Sequence, residues 1–331
     1  MDLVRFTRQL VDIESITGNE KKVGDFLYAE LQRMGFTVSQ MPVEGERRNI
    51  WAVSPGHTRP EIVLSTHMDT VPPFIPSSED ETRVYGRGSC DAKGIIAAQT
   101  GAALRLREQN IFVGLLFVVG EERDSLGAHV ANDHPQGAKF LINGEPTENR
   151  LALASKGTLR AEITARGKMA HSAYPELGES AIDKLLPALA RLRAMPLPSD
   201  PEVGACTLNI GLIEGGRAPN VIPDYAHADL LYRLVGPSDE LRKQIITAAG
   251  KDVEVDFPLE LKFLRFRKID GLPTMVAAFT TDIPKLTQWG EPLLIGPGSI
   301  HVAHTEGEFI PKSELHEAVN LYCQIATQLS N

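Results

Sequence analysis

The sequence predicts an α/β fold carrying a second, inserted α+β domain, and three patterns predict it. Short, wholly apolar runs rich in β-branched residues alternate with stretches of helical periodicity through the first half of the chain. From Lys156 onward the texture changes to strand, helix, two strands, helix and strand, the order of a compact antiparallel α+β layer. At 331 residues the chain is long for one core and suits two domains, or one domain with a large insertion.

Apolar residues recur at helical spacing over 2–14 (Leu3, Phe6, Leu10, Ile13) and over 20–34 (Val23, Phe26, Leu27, Leu31, Met34). Gly35 is placed to end the second helix. Strand-like runs follow at 36–43 and 49–53. The next run, over 62–66, reads as a buried strand and delivers His67 and Asp69 at its end. Period-2 geometry puts those two on one face, and Pro72-Pro73 stops the strand. Residues 73–83, rich in Pro, Ser and Glu, read as a surface loop. Glycines 86, 88 and 94 imply a tight loop where backbone approaches a neighbour closely. Asp91 then stands at the entrance to a small-residue helix over 95–106. It either caps that helix through its carboxylate or bridges metal ions.

The apolar run over 111–120 ends in Glu121-Glu122-Arg123-Asp124, and that over 140–143 ends in Gly144-Glu145. Open α/β sheets form their ligand sites at such strand ends, so His67, Asp91, Glu121, Glu122 and Glu145 are expected to converge. Beyond Lys156 come an alternating strand over 158–166, a loop with His171, and a helix from about 180 to 193. Strands near 206–213 and 221–234, a helix from Ser238 and a strand over 253–263 complete the insert. The chain returns to the first domain around Asp270-Gly271, with a strand at 292–295, a Gly-rich segment holding His301 and His304, and a helix over 312–329. The expected division is 1–157 plus 268–331 for the first domain and 158–267 for the insert.

Composition narrows the function classes. A charge of −9 with no basic segment argues against a nucleic-acid partner. No apolar run approaches the ~20 residues that span a bilayer, and the N-terminus opens an amphipathic pattern rather than a signal peptide. A cytoplasmic protein without a membrane partner is therefore expected. Three scattered cysteines make a disulfide framework unexpected.

His67, Asp91, Glu122, Glu145 and His304 supply two imidazoles and three carboxylates, enough for two divalent cations sharing one carboxylate. Ligation by N and O without thiolate suits zinc, cobalt or manganese. Paired cations ~3.5–4 Å apart activate water and polarise a carbonyl. An unligated carboxylate must then carry the water's proton to the leaving nitrogen, and Glu121, beside a ligand, is the candidate. His301 is the rival to His304.

Several stretches together resemble the M20 metallopeptidase and deacylase family: Ser65-Thr-His-Met-Asp-Thr-Val-Pro72, Gly86-Arg-Gly-Ser-Cys-Asp-Ala-Lys-Gly94, Gly120-Glu-Glu122, Gly144-Glu-Pro-Thr147 and Ala303-His-Thr305. They span nearly the whole chain in the family's order. The resemblance implies a mixed-sheet di-zinc hydrolase catalytic domain with an inserted lid or dimerisation domain. It implies Asp91 as the bridging ligand, His67 and Glu145 completing one metal site, and Glu122 and His304 the other. Glu121 would be the general acid and base, and Asp69 would orient His67 from behind. In the insert it implies that His171 reaches a substrate carbonyl or carboxylate, often across a dimer, which leaves a homodimer open. Asn220, in the loop Gly215–Pro223, would face the substrate. Arg233 would bind its α-carboxylate, a bidentate task suited to guanidinium, although the family usually spaces Asp and Arg more closely than Asp229 and Arg233. Lys93 is expected to stabilise the Asp91 turn.

The expected function is a two-metal amidohydrolase that removes an acyl group from an N-acyl amino acid, in the manner of acetylornithine deacetylase, through a metal-bridged water activated by Glu121. The alternatives are a metallopeptidase (dipeptidase or carboxypeptidase) and a succinyl-diaminopimelate desuccinylase. A non-catalytic binder is the least favoured, because neither Glu121 nor any ligand is lost.

Overall fold

The computed structural model describes residues 1–330. Its packing divides into two units. Unit 1 comprises Met1–Leu153, Phe266–Met275 and the chain from Thr281 onward; unit 2 comprises Ala154–Arg265 and Val276–Thr280.

Unit 1 is built on a six-stranded mixed sheet in the order Thr37–Glu44, Arg47–Val53, Val113–Val118, Ile62–His67, Phe140–Asn143, Glu291–Leu294. The first two pairings are antiparallel and the remaining three parallel. Every residue of Ile62–His67 and Val113–Val118 is buried, as continuous apolar runs require when a sheet is covered on both faces. Helices Leu3–Val11, Lys21–Arg33, Lys93–Glu108 and Lys312–Leu329 share one apolar cluster with Ile62 and Leu64. Val63 points the other way, into a second cluster with Trp51, Ala128 and Trp289. There the two indoles meet edge to face at 5.3 Å, and Trp289 Nε1 donates to the Ala131 carbonyl at 2.9 Å, so the buried N–H is satisfied.

Unit 2 is a four-stranded antiparallel sheet in the order Thr207–Gly215, Tyr225–Leu234, Gly157–Arg166, Glu254–Leu261. Leu159, Ala161, Ile163 and Ala165 alternate inward and pack, with Ala226, Ala228, Leu230 and Tyr232, against helices Ala181–Ala194 and Asp239–Ala249. Ser180 caps the first of these helices by accepting the Asp183 N–H at 3.1 Å, a standard N-cap bond.

Some elements differ from expectation. The loop over 73–83 contains a two-residue strand, Ser78–Glu79, paired with Arg83–Tyr85. The helix Leu126–Asn132 was not expected; it has only seven residues, too few for a periodic signal. The run over 221–234 splits at Pro223, which offers no N–H to a ladder: Val221–Ile222 pairs with Ala170–His171, and Tyr225–Leu234 joins the main sheet. No helix among the described residues is long and apolar enough to cross a membrane.

Candidate metal centre

The parallel strands of unit 1 all present their C-terminal ends on one side, and the loops leaving those ends carry the predicted residues. His67 is the last residue of its strand, and its side chain is 1% exposed. Its Nδ1 lies 3.1 Å from the backbone carbonyl of Asp69 and 3.5 Å from Asp69 Oδ1. With a proton on Nδ1 donated there, Nε2 keeps a free lone pair. That Nε2 is 2.9 Å from Asp91 Oδ1 and 4.0 Å from Glu145 Oε2.

The other oxygen of Asp91 serves a second group. Asp91 Oδ2 is 3.3 Å from His304 Nε2, which is 3.0 Å from Glu122 Oε1. One carboxylate thus lies between two imidazole–carboxylate pairs, His67 with Glu145 and His304 with Glu122. The capping alternative for Asp91 does not hold: Ala92 occupies the N-cap position of Lys93–Glu108, and no side chain caps that end. Both histidines of the Gly-rich segment are exposed, and it is His304, at φ +64°, whose Nε2 joins the cluster.

Asp69 sits behind His67 as expected and also does something the sequence did not indicate. Its Oδ1 accepts the Glu121 N–H at 3.1 Å, and its Oδ2 accepts the Glu122 N–H at 3.2 Å and the Thr17 hydroxyl at 2.7 Å. One buried residue therefore meets both, its backbone carbonyl facing the imidazole and its carboxylate holding the Glu121–Glu122 turn. Asn49 braces the same turn from its two ends. Its Oδ1 accepts the Val119 N–H at 3.1 Å and its Nδ2 donates to the Gly127 carbonyl at 2.7 Å.

The glycines of the Asp91 loop are needed for close approach. A Cβ on Gly94 would stand 2.4 Å from the Ser89 carbonyl oxygen, and one on Gly88, at φ +85°, 2.8 Å from Thr70 Cγ2. Lys93 is fully buried and donates from Nζ to the Ile13 carbonyl at 2.7 Å. Its head group thus bonds the segment after the first helix rather than the Asp91 turn. Burial lowers its pKa to about 7.

Electrostatically the cluster is short of positive charge. Burial, and then the carboxylates around them, push Glu121 and Glu145 well above the usual range. Burial raises Asp282 to about 7; it is 1% exposed and neither of its oxygens has a hydrogen-bond partner. Burial opposes charge on His67, yet bonds to Asp69 and Asp91 hold its pKa well above normal. Bonds to Asp91 and Glu122 carry His304 to about 10. Protonated imidazoles and neutral acids are what such a donor set adopts when protons alone must balance it. Two nitrogen and several oxygen donors without thiolate fit divalent cations. His67, Asp91 and Glu122 each offer a donor atom within 4.8 Å of the others.

Glu162, His227 and Asp229 in unit 2 also bring donors within 4.8 Å. There Arg160 Nη2 already sits 2.9 Å from Glu162 and 2.8 Å from Asp229, so both carboxylates already face a cation of the chain itself. The remaining predicted residues also lie in unit 2. His171 pairs with Val221, and the Ser172 N–H donates to the Asn220 carbonyl at 3.0 Å, so His171 and Asn220 are neighbours. His171 Nδ1 accepts the Ala173 N–H at 3.1 Å, which puts the ring proton on Nε2. Arg233 is not beside them. It pairs with Thr158 and bonds its hydroxyl at 2.8 Å, while Tyr225, at the other end of the strand, pairs with Arg166. At about 3.3 Å per residue the two strand ends are ~26 Å apart.

Comparison with known proteins adds three results. The family model of a peptidase dimerisation domain matches residues 153–255. A probable carboxypeptidase of Aspergillus terreus is 41% identical over 96% of this chain and 84% of its own length. An M20 peptidase domain-containing protein of Schizosaccharomyces pombe is 38% identical over 97% of this chain and 83% of its own. Among solved structures, the aminopeptidase PepT from Bacillus cereus superposes with a TM-score of 0.81 at 23% identity, covering 99% of this chain and 98% of that one.

Proposed function

Because the chain belongs to the M20 peptidase family and is a metal-dependent hydrolase of amide bonds, we propose that it is a two-cation exopeptidase releasing the C-terminal amino acid of a short peptide. One observation carries this reading: the Asp91 carboxylate lies between the His67–Glu145 and His304–Glu122 pairs. His67, Asp91 and Glu145 would hold one divalent cation, and Asp91, Glu122 and His304 the other. When bound, such a pair makes water acidic and polarises a carbonyl. Zinc suits these donors best, with cobalt or manganese as alternatives.

The residues of the chain account for the rest of the reaction. Glu121, positioned by its own N–H on Asp69, takes a proton from water as the water oxygen bonds to the amide carbon. It returns that proton to the nitrogen as the C–N bond breaks, leaving a carboxylic acid and an amine that become carboxylate and ammonium by proton exchange. His171, with its proton on Nε2, is assigned to the substrate carbonyl or carboxylate oxygen. Asn220 is assigned to substrate contact; Arg233, bonded to Thr158 at the far strand end, would meet the α-carboxylate only of a substrate that does not also touch the same chain's Asn220. Pairing of two chains through the matched dimerisation segment is part of the same reading, and sedimentation of the metal-loaded protein tests it.

Peptide substrates are favoured over N-acyl amino acids, the class put first from sequence, because relatives 38–41% identical carry peptidase names. The deciding assay follows amine release from N-blocked dipeptides, their C-terminal amides, free dipeptides, N-acetylornithine and N-succinyl-diaminopimelate. Each is run on chelated protein and again after adding Zn²⁺. Zinc-dependent cleavage of the free acids, with the amides untouched, is the expected result. Turnover confined to N-acetylornithine would replace the peptidase with a deacylase. No turnover by protein loaded with two equivalents of metal would overturn the enzyme assignment.

A further inference from the structure

We propose that Glu308 is the positioning residue that sets the affinity of both cation sites, by fixing the loop that carries their shared ligand. Glu308 is 1% exposed. Its Oε1 accepts three backbone N–H groups, those of Gly88 at 2.9 Å, Cys90 at 3.1 Å and Asp91 at 3.1 Å. Its Oε2 accepts Arg87 Nη1 at 2.6 Å, and its own carbonyl accepts the Gly86 N–H at 3.0 Å. All these donors belong to the six-residue stretch ending in Asp91. Arg87 is itself 2% exposed and donates from Nε to the Pro73 carbonyl.

Glu308 also stands four residues after His304. The strand that follows it, Phe309–Pro311, pairs with Arg83–Tyr85. The loop bearing Asp91 and the loop bearing His304 are therefore joined at this side chain, beside the strand pairing and the Cys90 Sγ contact to the Ser299 carbonyl at 3.4 Å. Ligand geometry must be held to about 0.5 Å for a site to bind well. Asp91 is the ligand both sites share, so an error in its position is felt twice. A carboxylate whose only task was to stabilise the fold would leave no such paired signature.

This inference rests on the two-cation reading above, and the test separates the two. Metal-stripped full-length protein is titrated with Zn²⁺ against a chromophoric chelator, for wild type, Glu308→Gln, Glu308→Asp and, as a control, Glu145→Gln. Glu308→Gln presents an amide NH2 to Arg87 and a weaker acceptor to the three N–H groups. Glu308→Asp keeps the charge but withdraws the carboxylate by one methylene, and serves if the Gln variant does not fold.

Either Glu308 variant is expected to melt lower than wild type without metal, to remain folded at the assay temperature, and to bind two equivalents with both affinities lowered about 10–100-fold. Glu145→Gln is expected to weaken one site chiefly. Wild-type affinity in the Glu308 variants would overturn the proposal. So would a loss confined to one site, or a loss explained by unfolding of the metal-free protein. Failure of wild type to take up zinc would instead overturn the functional reading itself.

Discussion

At the scale of single residues, the centre assigns different work to carboxylates of the same type. In the proposed mechanism the Glu121 side chain carries only a mobile proton, so Glu121→Gln should keep two equivalents of metal and lose about 10²- to 10⁴-fold in turnover. Metal analysis beside a rate measurement checks this; wild-type rates would remove Glu121 from the mechanism. Asp282 makes the opposite case. Burial raises it to about 7 from an ordinary 3.8, so the folded state binds its proton more tightly than the unfolded chain does. The stability this gives is present in full below pH ~4 and is lost as pH rises through about 7. Asparagine at 282 is always neutral. In metal-free protein the advantage of Asp282→Asn over wild type should therefore grow between pH 4 and 8, towards ~4 kcal/mol at most. A melting-temperature difference that stays flat with pH would contradict it. The clustering of His67, Asp91, Glu122, Glu145 and His304 was legible in the sequence because each follows an apolar run or a Gly-rich turn that announces a strand end or a close approach. Glu308, Asp282 and Asn49 were not, since their partners are backbone groups or neighbours far away in the chain, and no local spacing encodes those.

At the scale of elements, the turn after Val113–Val118 shows how a short loop is made rigid enough to aim two glutamates. Asp69 holds its N–H groups and Asn49 its two ends. Asn49 is fully buried. Asn49→Leu would strand the Val119 N–H and the Gly127 carbonyl in an apolar setting, at about 1–3 kcal/mol each. A loss of at least ~2 kcal/mol in denaturant-determined stability is expected, together with a fall in kcat; an unchanged midpoint would show that water replaces the side chain. Long periodic elements were legible: Lys312–Leu329 and Ile62–His67 stand where hydrophobic spacing put them. Elements made by context were not. Leu126–Asn132 follows Asp124-Ser125, residue types that often start helices, but Ser125 stands in the left-handed region without a side-chain cap, and it is Asp124 Oδ1 that accepts the Leu126 N–H at 3.0 Å. The two-residue pairing of Ala170–His171 with Val221–Ile222 exists only because Pro223 ends one ladder and the chain finds another.

At the scale of the whole molecule, each unit has its own apolar cluster, whereas the predicted cation ligands all belong to unit 1. Metal should consequently act on stability selectively. A ligand that binds only the folded state stabilises by RT ln(1 + [L]/Kd), about 2.7 kcal/mol at a hundredfold excess over Kd. The effect should also depend on pH, because protons now do the balancing: His304 stands at about 10, and Glu121 and Glu145 are pushed up. Each cation that enters displaces protons from its ligands as it makes its own bonds. Adding Zn²⁺ to chelated protein should therefore raise amide protection in Ile62–His67, at the start of Lys93–Glu108 and through 296–308. Protection in Thr207–Gly215 and Tyr225–Leu234 should stay close to that of the metal-free protein. Hydrogen exchange with and without chelator measures both at once. An equal rise in the two units would mean that they unfold as one cooperative body, and no rise in unit 1 would mean that the carboxylates gathered there are balanced by something other than a cation.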